Sequence, residues 1–249
     1  MKVGLIGFGK TGKAVATTLL RKSETVLEWV VRQSTRLEHR SVPEFLGEYS
    51  PEPGLIFSSQ HTGIAELLDD NPVDIIIDFS SETGLEYYGA EAARRKVKIL
   101  SAISHYPEDK LELLKKYSEH TAVFWSPNIT LGINYLILSA KLLKKIAPYT
   151  DVVISEEHYK EKFDVSGTAK VIAHELGIED SDIVSVRAGG IIGRHEIMFG
   201  FPYQTVRLIH ESITREAFGN GAIFVAKELA DKEAGLYTFE KLLLPYLTA

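Results

Sequence analysis

The sequence contains no cysteine, which excludes disulfide bonds, thiolate metal sites and a cysteine nucleophile. It has no apolar run long enough to span a membrane, and its first residues carry glycines instead of the apolar core of a signal peptide. Basic residues number 28 against 34 acidic ones, and the net charge of -6 argues against nucleic acid or an anionic membrane as main partner. A cytoplasmic protein is therefore the expectation.

Metal and acyl-transfer chemistry also lack support. The pairs His174-Glu175, His195-Glu196 and His210-Glu211 each lack the second histidine of H-E-x-x-H, so no metal site is predicted. No G-x-S-x-G motif occurs. What remains is an ordinary globular composition, 45% hydrophobic and 25% charged over 249 residues, which suits one large domain or two smaller ones.

A glycine motif opens the chain between a predicted strand (2–6) and a predicted helix (13–20). In this G-x-G-x-x-G, the first glycine allows a tight turn, the second lets the backbone approach a pyrophosphate, and the third allows close helix–strand packing. The position between strand and helix predicts a dinucleotide site, with a ligand-free turn as the alternative. The predicted contacts are Gly7, Gly9, Lys10, Thr11 and Gly12.

The second predicted strand (25–31) ends in Arg32, where NAD-preferring sites usually carry an acid that binds the ribose 2′-hydroxyl. A guanidinium with nearby hydroxyls can instead hold a 2′-phosphate through charge-assisted hydrogen bonds. The sequence therefore favours NADPH, with NADH as the alternative. Arg32 and Arg36 could also be solvated loop cations.

Strands and helices alternate through residues 1–126, which predicts a Rossmann-type, doubly wound parallel sheet, an α/β fold. After a long apolar helix at 131–146, strands dominate, which predicts a C-terminal α+β domain with an open mixed sheet. The strands are predicted at 151–155, 183–188, 194–199 and 204–210, and the helix at 168–176.

This pattern sets the predicted domain boundaries. Residues 1–128 form the dinucleotide-binding domain, and residues 129–215 form the domain for substrate binding and oligomerisation. The segment 216–249, with a helix at about 220–230, is predicted to pack back on the first domain.

The stretch 156–169 (EEHYKEKFDVSGTA) is predicted to be a charged loop between a strand and a helix. His158 can move a proton near neutral pH, and Lys162 can hold or protonate an anion. The Ser166-Gly167-Thr168 triplet places free N–H groups and the helix dipole where a carboxylate or phosphate could bind. A surface histidine, a solvated charge run and a simple turn glycine are the alternatives.

Two patterns, E-x-H-x-x-x-K-x-D-x-S-G-T-A at 156–169 and R-A-G-x-I-x-G-x-H at 187–195, are more specific than the Rossmann glycines. Four further segments contribute to the same resemblance: Asp78-Phe79-Ser80-Ser81, Pro127-Asn128, Gly132-Ile133-Asn134 and Arg215 through Ala222. With these, the chain resembles the 4-hydroxy-tetrahydrodipicolinate reductase (dihydrodipicolinate reductase) family of lysine and diaminopimelate biosynthesis.

The resemblance implies an oxidoreductase that delivers hydride from NADPH or NADH to a cyclic imine dicarboxylate. It implies His158 as the acid, Lys162 as a proton donor or substrate contact, and Tyr159, Ser166, Gly167 and Thr168 as substrate-binding residues. It also implies a homotetramer built through the sheet of the second domain. Further cofactor contacts are expected from Phe79, Ser80, Ser101, Ala102, Ser104, Pro127 and Asn128.

Three departures from the family pattern leave alternatives open. Tyr159 replaces a second histidine, the loop before Ser166 is one residue shorter and lacks a proline, and 101–104 (SAIS) replaces a G-T-T-G loop that faces the nicotinamide. A paralogous reductase of another imine or keto acid, or a non-catalytic NADPH-binding protein, remains possible on these grounds. Arg194 and His195 either line the substrate site or serve the core or sheet surface.

Overall fold

The structure, a computed structural model, describes residues 1–52 and 54–247, which form two compact units. Unit 1 comprises Met1–Thr130 and the chain from Phe218 onward, and unit 2 comprises Leu131–Ala217. Pro53, Thr248 and Ala249 lie outside the described residues. The C-terminal segment 216–249, which was predicted to pack on the first domain, is therefore described as far as residue 247. Among those that are described, no helix is long and apolar enough to cross a membrane.

Unit 1 contains a parallel sheet with the order β11-β6-β5-β4-β1-β2-β3, which confirms the doubly wound α/β prediction. The chain runs outward from β1 in one direction and then returns to build the other half, so the strand order reverses beside β1. Its strands are β1 (Lys2–Ile6), β2 (Val26–Arg32), β3 (Leu55–Ser58), β4 (Ile75–Asp78), β5 (Lys98–Ser101), β6 (Ala122–Trp125) and β11 (Gly235–Tyr237).

Helices connect these strands, because parallel neighbours need a crossover connection. The connecting helices are α1 (Lys10–Leu20), α2 (Val42–Leu46), α3 (Ile64–Asp70), α4 (Gly84–Arg95) and α5 (Glu108–Ser118). Helix α8 (Glu216–Leu229) precedes β11, and α9 (Phe239–Leu247) follows it. Strand β4 lies at the centre with all four residues buried, as expected for a strand covered on both faces. The carboxyl ends of β1, β2 and β4 therefore meet at one edge, where ligands bind in such sheets.

Unit 2 is built on a mixed sheet with the order β10-β9-β7-β8, which confirms the predicted second architecture. Strands β7 and β8 are parallel, and the other neighbours are antiparallel. An apolar core that includes Ile154, Ile172 and Ile197 lies between one face of this sheet and its helices. The elements are α6 (Leu131–Ile146), β7 (Asp151–His158), α7 (Gly167–Leu176), β8 (Val184–Arg187), β9 (Arg194–Phe201) and β10 (Gln204–Glu211).

Several predicted boundaries were wrong for identifiable reasons. Strand β7 continues to His158 instead of ending at residue 155, because its last four residues pair with β8. The helix predicted from about residue 220 begins at Glu216. Strand β11 and helix α2 were not predicted. Strand β11 has only three residues, and α2 has only five, with Pro43 in its first turn.

Candidate active site

The glycine motif folds as a tight cradle at the end of β1. Gly7 has φ +96°, and a Cβ on it would lie 2.7 Å from the carbonyl carbon of Phe79. A Cβ on Gly12 would lie 2.1 Å from the carbonyl oxygen of Gly7, so α1 could not approach the turn as it does. A Cβ on Gly9 would meet nothing within 4 Å, so the loop is open on the side where a ligand would come close.

A cavity of about 480 Å³ in unit 1 lies against this cradle. Five of the predicted cofactor contacts line the cavity: Gly7, Gly9, Arg32, Phe79 and Ser80. Other lining residues include Gln33, Ser34, Ser59, Thr83 and Tyr87. Lys10 and Thr11 lie in the first turn of α1, outside the lining.

The electrostatic character of this cavity is set by Arg32. Of the described residues that line it, Arg32 is the charged one, and none is a carboxylate. Ser34 and Ser59 add hydroxyls beside it, at the ends of neighbouring strands β2 and β3. This end of the cavity suits an anionic group.

Asp78 anchors the Phe79–Ser80 turn from below. Its Oδ1 accepts hydrogen bonds from the backbone N–H of Ser80 (2.8 Å) and from its Oγ (2.6 Å), and its Oδ2 accepts one from the Tyr88 hydroxyl (3.0 Å). Burial raises the pKa of the Asp78 carboxyl to about 6, because these hydrogen bonds do not offset the loss of hydration. The carboxyl holds the turn that closes one side of the cavity.

The other predicted cofactor contacts from strand ends lie outside the cavity lining. They are Ser101, Ala102, Ser104, Pro127 and Asn128. Ser101 is fully buried, and its hydroxyl lies 2.9 Å from that of Tyr106. The Oδ1 of Asn128 accepts hydrogen bonds from the backbone N–H (3.0 Å) and hydroxyl (2.8 Å) of Thr130, and so shapes its own loop.

In unit 2, His158 lies at the end of β7 and is 8% exposed. Its Nδ1 is hydrogen-bonded to Oε2 of Glu156, two residues earlier on the same face of the strand. A Cβ on Gly193 would lie 3.0 Å from Nε2 of His158, so the absence of a side chain there makes room for the ring. The imidazole is held on one side and has Nε2 as its remaining polar atom.

Glu156 is fully buried and is itself held from β8. Its Oε1 accepts hydrogen bonds from Ser185 Oγ (2.7 Å) and from Arg187 Nη2 (2.5 Å). Burial works to raise the pKa of the Glu156 carboxyl, but the bonds from Arg187, Ser185 and His158 outweigh it and lower the pKa to about 2. Glu156 is therefore an ionised group beside His158 at all ordinary pH values.

Arg187 also ties down the loop that follows β7. Its Nε donates to the carbonyl of Lys162 (2.8 Å), and its Nη2 donates to that of Asp164 (2.9 Å). The backbone of Lys162 is thus fixed, whereas its ammonium has no hydrogen bond or ion pair with the described part of the chain. Lys162 is half-buried, and this cation is available to an anion.

Ser166 caps α7, as the predicted helix start requires. Its Oγ accepts a hydrogen bond from the N–H of Ala169 (3.0 Å) and lies 2.8 Å from Nε2 of His195. The ring of His195 meets that of His158 edge to face, with centroids 5.3 Å apart. Unit 2 thus brings the predicted residues His158, Lys162 and Ser166 onto elements that surround one buried polar cluster.

Sequence reasoning did not assign Glu156, Ser185 or Arg187 to this cluster. The spacing of Glu156 and His158 carried a signal, because residues i and i+2 share a face once the segment is read as a strand. Arg187 opens the R-A-G pattern, but its pairing with His158 across β7 and β8 depends on a parallel register. His195, which was left open between substrate site and core, is buried and contacts Ser166.

Comparison with known proteins agrees with this architecture. The family model for the N-terminus of dihydrodipicolinate reductase matches residues 1–129, and the model for its C-terminus matches residues 131–243. The chain belongs to the dihydrodipicolinate reductase family. Within that family, 4-hydroxy-tetrahydrodipicolinate reductase of Caldanaerobacter subterraneus subsp. tengcongensis is 33% identical over 68% of this chain and 76% of the relative. The enzyme of Syntrophus aciditrophicus is 29% identical over 95% of this chain and 96% of its own.

Solved structures share the fold. Dihydrodipicolinate reductase from Paenisporosarcina sp. TG-14, solved with bound dipicolinate, superposes with a TM-score of 0.77 at 20% identity and covers 96% of this chain and 97% of that chain. An amine dehydrogenase from Mycobacterium smegmatis superposes with a TM-score of 0.69 at 12% identity, covering 96% and 95% of the two chains. The dihydrodipicolinate reductase fold is thus shared with other dehydrogenases.

Proposed function

We propose that this chain reduces 4-hydroxy-tetrahydrodipicolinate, a cyclic imine dicarboxylate, to tetrahydrodipicolinate in lysine and diaminopimelate biosynthesis. The two family models, which together span both units, support the reaction class. The observation that carries the proposal is the cluster in unit 2, where an oriented histidine, an available ammonium and a capped helix start lie on neighbouring elements. A dianionic substrate that must gain a proton needs these three kinds of group.

The cavity in unit 1 fits a nicotinamide dinucleotide. Gly9 leaves the loop open toward a ligand, and the start of α1 offers N–H groups and a positive dipole end to a pyrophosphate. Lys10, Thr11 and Gly12 belong to that helix start. When bound, the cofactor supplies the hydride.

NADPH is the preferred cofactor in this proposal, and NADH is the weaker one. Arg32 offers its guanidinium, with Ser34 and Ser59 beside it, where NAD sites carry a carboxylate. Because no carboxylate lines the described cavity, nothing there would repel a 2′-phosphate.

His158 is the proton donor in this scheme. The 4-hydroxyl of the substrate leaves as water, which gives a C=C–C=N group. Hydride addition to this group leaves negative charge on the substrate, which a positioned acid must neutralise. The carboxylate of Glu156 occupies Nδ1, so Nε2 is the atom that can exchange a proton with a substrate. Lys162, whose backbone is held by Arg187, places a second cation nearby for a carboxylate or the developing anion.

The start of α7 binds a substrate carboxylate in our proposal. Ser166, Gly167 and Thr168 present a hydroxyl and backbone N–H groups at the positive end of the helix dipole. Tyr159 is 45% exposed, and its phenol can donate a hydrogen bond where the family pattern has a histidine.

A homo-oligomer, as the resemblance implies, is supported by the uncovered face of the unit 2 sheet. Exposed Val153, Val184, Val186 and Ile209 alternate there with residues that face the core. They share this face with the ion-paired Glu157, Arg194, Glu196 and Arg207, and a face that combines apolar and charged side chains suits a subunit interface. Val186→Lys should lower the oligomer mass in light scattering, whereas Tyr49→Lys, at a fully exposed unit 1 position, should not.

The proposed function is tested by mixing purified protein, NADPH and the freshly generated cyclic imine and following the loss of reduced nicotinamide. We expect turnover that depends on both reactants and that is lost in His158→Ala. Turnover only with another imine or keto acid would identify a paralogous reductase. Tight NADPH binding without any reductase activity would identify a non-catalytic protein.

A further inference from the structure

His195 occupies the middle of the unit 2 sheet, where an apolar residue would be expected. It lies on β9 between Glu156 on β7 and His210 on β10, and it is 6% exposed. Its Nε2 is 2.8 Å from Ser166 Oγ, and its Nδ1 is buried without a hydrogen-bond partner among the described residues. A buried polar atom without a partner destabilises a fold, so an apolar side chain would be the more stable choice at this position.

The ring of His195 carries one proton. Burial and the neighbouring His158 lower the pKa of His195 to about 4, so the imidazole is neutral near pH 7. A neutral imidazole has one N–H donor and one bare acceptor nitrogen. Which nitrogen carries the proton decides what the Ser166 hydroxyl can do.

If Nδ1 carried the proton, an N–H donor would be buried without an acceptor, and orphaned N–H groups are the rarer defect in proteins. The Ser166 hydroxyl would then donate to Nε2 and would have no proton left for a ligand. If Nε2 carries the proton, it donates to Ser166 Oγ, and the unpaired atom is a nitrogen lone pair.

In that second arrangement the hydrogen bonds of Ser166 are complete on the acceptor side. Its oxygen accepts from Nε2–H of His195 and from the N–H of Ala169, which uses both lone pairs. The hydroxyl proton must then point elsewhere, and it becomes a donor for an anionic group at the start of α7.

We propose that His195 is a positioning residue whose Nε2–H makes the Ser166 hydroxyl a dedicated hydrogen-bond donor to a substrate carboxylate. The inference rests on the proposed function, because it takes the ligand at the start of α7 to be a carboxylate of the substrate. It explains why a buried histidine with an unpaired nitrogen stands at this point of the sheet. It gives His195 a role in substrate affinity and none in the hydride or proton transfer.

The test compares His195→Leu, His195→Gln and Ser166→Ala by calorimetric binding of dipicolinate and by steady-state kinetics. A hydrogen bond to a charged group that is lost should weaken binding by about 10-fold or more. We expect that loss in His195→Leu and Ser166→Ala, with KM for the imine raised and kcat within about threefold. His195→Gln, whose amide N–H can reach Ser166, should bind nearly as the wild type does. The double variant should bind no more weakly than Ser166→Ala alone, since both changes remove one interaction.

Nitrogen-15 spectra of the ligand-free protein, labelled at histidine, report the tautomer directly and do not depend on activity. The proposal expects the His195 proton on Nε2, and a proton on Nδ1 would overturn it. Wild-type dipicolinate affinity in a folded His195→Leu would also overturn it. If His195→Leu does not fold, the Gln variant decides: near wild-type affinity supports the proposal, and the loss seen in Ser166→Ala contradicts it. Failure of the wild type to bind or reduce any dicarboxylate would overturn the proposed function and the ligand assignment, while the spectra would still decide the tautomer.

Discussion

The carboxylate of Glu156 is hydrogen-bonded to Nδ1 of His158, and both side chains lie on one face of β7 at the end of the strand. Arg187 and Ser185 from the neighbouring strand hold the other oxygen of the same carboxylate. The acid of the proposed reaction therefore has its orientation fixed by a buried anion that is itself held at two points.

Glu156→Gln should lower kcat by about 10- to 100-fold while KM for the imine changes little. The amide keeps the size of the side chain but removes the charge, and its single acceptor oxygen cannot serve both Arg187 and Nδ1 of His158. The matched control is Glu157→Gln, because Glu157 is the next residue, faces the opposite side of the sheet and pairs with Arg194. Equal kcat losses in the two variants would show that the effect is one of general stability.

Gly193→Ala should lower kcat by about 10-fold, because the new methyl group would lie against Nε2 of His158 and displace the ring. The control is Gly190→Ala in the same loop, where a Cβ meets nothing within 4 Å. Steady-state kinetics and melting temperatures of both variants make the comparison. An unchanged kcat in a folded Gly193→Ala would mean that Nε2 is not the atom that exchanges a proton.

Arg32→Ala should raise KM for NADPH by about 10- to 100-fold and leave KM for NADH nearly unchanged, since a charge-assisted hydrogen bond contributes about 1.5–3 kcal/mol. Arg36→Ala is the control, because Arg36 is a cation of the loop that follows β2 and does not line the cavity. Parallel loss with both cofactors would remove Arg32 from recognition of a 2′-phosphate.

Asp78 makes stability depend on pH in a direction opposite to most carboxylates. Its folded pKa of about 6 lies above the unfolded value of 3.8, so the folded state binds the proton more tightly and loses stability as pH rises between these values. A difference of about two pKa units corresponds to roughly 3 kcal/mol. Asn does not titrate, so the free energy of unfolding of Asp78→Asn should rise relative to that of the wild type by about this amount between pH 4 and pH 7.5, as measured by urea unfolding. A difference that is the same at both pH values would contradict the assignment.

The sequence predicted the architecture well where periodicity and length were strong. Helix α6 was placed over residues 131–146 as observed, and the alternation of strands and helices through residues 1–126 correctly indicated a doubly wound parallel sheet. Strand β11 was missed, because its three residues form a strand only by pairing with β6. The end of β7 was misread for a similar reason, since charged residues continue a strand when a neighbour provides hydrogen bonds.

The candidate site was predicted in its residue types but not in its connections. His158, Lys162 and Ser166 could be chosen from spacing and resemblance. That Glu156 orients His158, or that His195 contacts Ser166, depends on which residues lie opposite each other across strands β7, β8 and β9. Strand register is a tertiary property, and a single sequence constrains it weakly here.

The most direct test of the account is the initial rate of NADPH oxidation with the freshly generated cyclic imine dicarboxylate, measured for wild type and His158→Ala from acid to neutral pH. We expect substrate-dependent turnover by the wild type and a fall in kcat of about 10²-fold or more in His158→Ala, with unchanged NADPH affinity. Absence of wild-type turnover across that pH range, or full activity without the imidazole, would contradict it.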